Sequence, residues 1–101
     1  MKSETKKTID FHLSAYRRTG ANSYRKKQYN RLLSMIADIF EHSPECQENL
    51  TRLGRKQVIG YWERTRDETA KTRLEKYRVL SLLFAKMNKQ PPPKPKIHTK
   101  L

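Results

Sequence analysis

Between Tyr24 and His42, apolar side chains recur at Tyr29, Leu32, Leu33, Ile36, Ala37 and Phe40. This is the i, i+3, i+4, i+7 rhythm of a helix that buries one face. Ser43-Pro44-Glu45 then reads as a helix start, with serine at the N-cap, proline in the first turn and an acid against the dipole. The short helix it opens is expected to turn Cys46, Leu50 and Leu53 inward and to stop at Gly54. Arg55 to Thr65 gathers Val58, Ile59, Tyr61 and Trp62 within about a turn, predicting another helix, with Trp62 in the core. After the polar Arg66-Asp67-Glu68, Thr69 is the expected N-cap of a helix over Ala70–Asn88. Its predicted inner stripe is Ala70, Leu74, Tyr77, Leu80, Phe84 and Met87, widened by Val79, Leu82 and Leu83. That width predicts the central, most buried helix.

The two ends are less regular. Ile9, Phe11 and Leu13 alternate as in a strand, while Phe11, Ala15 and Tyr16 fit a helix ending at Gly20. Residues 1–22 are therefore expected to form a short helix or an ordered arm, with a break at Ala21-Asn22-Ser23. Pro91-Pro92-Pro93 and Pro95 forbid further helix and predict an extended, polyproline-like tail over 89–101 that carries Lys94, Lys96 and Lys100. The fold class expected is all-α: a compact bundle of four to five helices over 23–88, followed by that tail.

Charge changes the picture most. Twenty-three Lys and Arg face ten Asp and Glu in 101 residues, a net charge of +13. Such a balance attracts polyanions. Residues 44–69 are neutral, and after residue 69 only Glu75 opposes nine basic side chains. Clusters fall at Arg25, Lys26, Lys27 and Arg31, at Arg55 and Lys56, and at Lys71, Arg73, Lys76 and Arg78. The last group, with Thr72, is expected to form a basic outer face on the final helix. Cations in a helix's first turns oppose its dipole, a cost that a bound anion offsets. Singly, each of these side chains could equally be solvated surface.

Other chemistries lack their residues. Cys46 is alone, so no internal disulfide is possible, which suits a reducing cytoplasm. His12, His42 and His98 have no metal-ligand spacing. Glu45 with Glu48, and Asp67 with Glu68, have no nucleophile or histidine arranged beside them. The three glycines form no phosphate loop. The expectation is a binder without enzymatic activity, cofactor, small-molecule substrate or membrane span.

From Ser23 to Asn88 the chain resembles the SAM-like, core-binding N-terminal domain of phage integrases, the tyrosine recombinases. SYRKKQYNRLLSMIADIF resembles the opening helix, LTRLGRKQVIGYWERTR the central segment and TAKTRLEKYRVLSLLF the closing helix. NKQPPPKPKI falls where such proteins carry the linker to their catalytic domain. The resemblance implies duplex DNA as partner, with a recombinase catalytic domain or other integrase protomers beside it. It places DNA contacts at Arg25, Lys26, Lys27, Arg31, Arg55, Lys56, Lys71, Thr72, Arg73 and Lys76, with Lys27 and Arg73 nearest the bases. It assigns no tyrosine of this chain to catalysis. Reversing Lys71 and Arg73 to glutamate is expected to nearly abolish binding while leaving helicity intact. Two alternatives stay open: a protein-interaction module using PPPKP, and a small RNA-binding protein.

Overall fold

The computed structural model describes residues 1–18 and 22–97, and only the backbone of Arg17, Arg18 and Asn22. The expectations at Gly20, Ala21, His98 and Lys100 lie outside the described residues. Those residues form four α-helices and no strand: α1 (Ser3–Arg18), α2 (Asn22–His42), α3 (Arg55–Arg64) and α4 (Ala70–Lys86). They share one core.

The N-terminal segment is a sixteen-residue helix rather than a short one. Its inner face runs Thr5, Ile9, Leu13, with Tyr16 packed partly against the core. Phe11, expected on that face, is instead 76 % exposed. At about 100° per residue, Phe11 stands about 200° from both Ile9 and Leu13, so a helix that buries those two must turn Phe11 outward. Leu13→Ala is expected to cost about 3 kcal/mol by leaving a cavity, and Phe11→Ala less than about 0.5 kcal/mol. Urea unfolding checks both, and equal midpoints for the two variants would show that α1 is not part of the cooperative fold.

α2 supplies Tyr29, Leu32, Met35, Ile36, Ile39 and Phe40 to the core. It packs against α1, α3 and α4, so the central helix is α2 and not α4. Tyr29 is buried, its hydroxyl included.

No α-helix follows Ser43. Two single 3-10 turns, Pro44–Cys46 and Leu50–Arg52, flank Gln47 and Glu48, whose φ angles of 52° and 53° are left-handed. Cys46, Leu50 and Leu53 are nevertheless buried as expected. What breaks the helix is a competing set of bonds. The Glu48 carbonyl accepts from the Thr5 hydroxyl at 3.2 Å, and the Glu48 carboxylate accepts from the Lys2 backbone N–H at 2.8 Å. Asn49 Oδ1 accepts from the Thr51 N–H and hydroxyl, starting the second turn. The segment is thereby pinned to the start of α1. Burial pushes the Cys46 thiol pKa up, which keeps it protonated and suits a packing role.

Gly54 starts α3 rather than ending a helix. Its N–H donates to Gln57 Oε1 at 3.0 Å, satisfying one of the free donors there. Thr69 caps α4 as expected, accepting from the Thr72 N–H. α4 ends in a Schellman motif: Asn88 adopts φ 57°, its N–H reaches the Ala85 carbonyl, and Lys89 N–H reaches that of Phe84.

Residues 89–97 form no helix or strand, and they lie against the bundle. Pro92 and Pro95 are buried, and Trp62 Nε1 donates to the Pro93 carbonyl at 2.9 Å.

Candidate nucleic-acid interface

The ten candidate residues divide by what their charges already hold. Arg73 is the clearest case. It is 4 % exposed, and its guanidinium lies 5.6 Å from the centre of the Trp62 ring. Its Nη1 and Nη2 donate to the carbonyls of Thr65 and Trp62, at 2.8 and 3.2 Å. Those carbonyls belong to the last turn of α3, which has no helical partner for them. Arg73 therefore caps α3 from α4, and it is no part of an outer basic face. Leu74, expected in the stripe, is 41 % exposed in its place. In the first half of α4 the inward positions are Arg73 and Lys76, one residue before the expected Leu74 and Tyr77, while Leu80 and Phe84 are buried as the stripe predicts.

Lys76 belongs to that inner face as well. Its ammonium donates to Glu68 at 2.7 Å and to the Tyr61 hydroxyl at 2.8 Å. Burial raises the Tyr61 pKa. Burial pulls the Lys76 pKa down, but the bonds to Glu68 and Tyr61 outweigh it and the net shift is upward. A raised folded pKa contributes stability that is fully present below the unfolded value, about 10 for both groups, and is lost as pH rises through the folded one. The melting temperature is expected to fall above about pH 10. Tyr61→Phe is expected to soften that fall in melts between about pH 8 and 11, and an unchanged slope would contradict the assignment.

Arg31 forms an ion pair with Glu75 on α4 and donates to Gln28 Oε1 at 2.7 Å. Gln28 is buried and donates to the Glu75 carbonyl. The Arg31 hydrogen bond, then the charges of Arg31, Lys71 and Lys27, hold the Glu75 carboxyl below its ordinary pKa. Arg25 donates to the Tyr16 carbonyl at 2.9 Å and lies over the Tyr16 ring, tying α2 to α1. Thr72 is half-buried, and its hydroxyl accepts from Thr69 inside the cap.

Lys26, Lys27, Lys71, Arg55 and Lys56 remain. All are exposed, and none has a carboxylate within ion-pair distance among the described residues. Lys26 and Lys27 line a shallow groove with Arg31, Lys76, Ser23 and Asn30. Lys27 and Lys71 approach Glu75 from the two helices that carry them. Lys26 and Lys27 thus share one groove, and Lys27 and Lys71 both act on Glu75 from the first halves of α2 and α4. Neither helix has an acid in its first turn, so both N-terminal dipoles are uncompensated there.

Arg55 lies elsewhere. It lines a groove between α3 and the 89–97 segment, together with Arg66, Lys94 and Lys96. Those three were not among the sequence candidates. Arg66 sits in a neutral stretch, and nothing in the spacing of Lys94 and Lys96 shows that their segment folds back. Lys56 is exposed beside Glu45, whose carboxyl its charge helps to lower after stronger backbone and Gln57 hydrogen bonds. Among the described residues no three metal-ligating side chains converge, and no helix is long and apolar enough to cross a membrane. No protein-family profile, curated protein or solved structure matches this chain.

Proposed function

We propose that this chain binds duplex DNA, seating phosphates on the face made by Lys26, Lys27 and Lys71. The observation that carries the reading is that those three exposed ammoniums have no ion-pair partner among the described residues, on two helices whose first turns hold no acid. Arg31 supports them, with its guanidinium partly exposed beside Glu75. Phosphates bound there would meet ammonium groups, backbone N–H groups and the positive ends of two helices, which are complementary to an anion. The resemblance to the integrase core-binding domain adds the biological setting: a module of a phage-type integrase, or a stand-alone relative, that holds DNA without cutting it. The Pro-rich interaction reading is weakened because Pro92 and Pro95 are buried against the chain's own fold.

The test compares a duplex DNA with a single strand and an RNA hairpin of equal length. The duplex is expected to bind tightest. With roughly four phosphates neutralised, its affinity should fall roughly a hundredfold between about 50 and 200 mM salt. Tighter binding to the RNA hairpin would replace this proposal with the RNA-binding one.

A further inference from the structure

The groove between α3 and the 89–97 segment is cationic on both walls. Arg55 opens α3, a helix about 15 Å long, and Arg66 follows its end. Lys94 and Lys96 face them from the extended segment, exposed on either side of the buried Pro95. Glu63 is the only carboxylate lining the groove among the described residues. None of the four cations has an ion-pair partner among those residues. Arg73 lines the floor, and its Nε is buried with no hydrogen-bond partner while both Nη atoms are occupied. A buried donor left unsatisfied beside a cationic groove is what an anion or its water would complete.

The segment's docking is otherwise modest. Its polar holds are Trp62 Nε1 on the Pro93 carbonyl and Lys89 Nζ on the Thr51 carbonyl at 3.1 Å. Burial of Pro92 and Pro95 adds to them, while like charges across the groove oppose them. An anion held between the walls would turn that repulsion into attraction. Guanidinium forks suit phosphate oxygens, which they can grip in pairs.

We propose that this groove is a phosphate-binding site, separate from the Lys26–Lys27–Lys71 face, whose occupant clamps the C-terminal segment onto α3. Occupancy and docking are then one coupled equilibrium. The phosphate could be free or part of a nucleic-acid backbone.

Trp62 is the chain's one tryptophan and bonds to the segment directly, so its fluorescence reports docking. The experiment titrates the protein with sodium pyrophosphate, and separately with duplex DNA, against sodium chloride at matched ionic strength. Pyrophosphate is expected to give a saturable fluorescence change that chloride does not give. Lys94→Gln with Lys96→Gln, both exposed and so harmless to the fold, should weaken it about tenfold. A response to pyrophosphate that matches chloride, or that the double variant leaves unchanged, overturns the proposal. If duplex binds and is weakened by changes at Lys26, Lys27 and Lys71 while pyrophosphate is inert, only the groove proposal fails. A response to pyrophosphate without duplex binding leaves the groove standing and removes the DNA-binding reading. A response to duplex that depends on Lys94 and Lys96, together with one to pyrophosphate, identifies the occupant as backbone phosphate.

Discussion

Arg73→Ala is expected to lower stability by about 3 kcal/mol, and Arg73→Met by somewhat less. The wild-type side chain fills space beside Trp62 and supplies both donors to the end of α3. Alanine removes the packing and the donors together; the Thr65 carbonyl keeps its bond from the Glu68 N–H, while the Trp62 carbonyl loses the Arg73 donor, a penalty of about 1–3 kcal/mol when buried. Relief from burying the unpaired cation offsets part of that loss. Methionine keeps the stem and loses only the donors. For a chain of this size each kcal/mol shifts the melting point by about 4–8 °C, so thermal melts separate the variants clearly. Duplex affinity of the folded protein should stay near wild type. A variant that melts normally but binds DNA poorly would return Arg73 to the interface. Reversing Lys71 and Arg73 together would not leave the helices packed as the sequence suggests, because Arg73 is buried and bonded to α3. Glutamate at 73 would unfold α3 from α4, so lost binding in that double variant would say nothing about DNA.

Lys26→Gln, Lys27→Gln and Lys71→Gln combined should reduce duplex affinity by about a hundredfold near 100 mM salt, or about 1 kcal/mol for each lost phosphate contact. Glutamine is the better replacement, because Lys27 and Lys71 stand beside Glu75 and new carboxylates there would repel it. All three side chains are exposed, so the melting temperature should hardly move. Gel-shift and melting measurements on one sample give both readouts. Arg25→Gln makes a useful contrast: it releases a bond between α1 and α2 and should lower stability more than affinity.

How much of this was legible in the sequence depended on what kind of signal each residue carries. Four positions of the inner face of α2, Tyr29, Leu32, Ile36 and Phe40, could be read from their helical spacing, but Met35 and Ile39 are buried in place of the expected Leu33 and Ala37, which are only half-buried. Thr69 could be read because a capping threonine acts locally. Trp62 was placed in the core by its helical neighbours. Phe11 was misread because its apolar character fits two periods, and only the burial of Ile9 and Leu13 decides which way the helix turns. The 43–54 segment has a helix start in its sequence, but bonds from Thr5 and the Lys2 backbone, more than forty residues away, hold Glu48 instead.

The candidate interface shows the same division more sharply. Lys71, Thr72 and Arg73 are consecutive, yet at about 100° per residue Lys71 and Arg73 point about 200° apart. No continuous run can place all three on one face. Which of the two turned inward depended on where α3 ends in space, and pattern reading defaults to putting charges outside. Arg31 and Lys76 were identified as basic correctly, but their acidic partners lie 44 and 8 residues away in sequence.

On the proposed reading Lys26, Lys27 and Lys71 meet phosphate, while Arg73 and Lys76 hold the fold together. The most direct test is the salt dependence of duplex affinity in the native protein and in the triple glutamine variant. Straight log–log plots are expected, with the variant's slope shallower by about 3, close to one unit for each lost contact. Parallel plots for the two proteins, or a native affinity indifferent to salt, would contradict it.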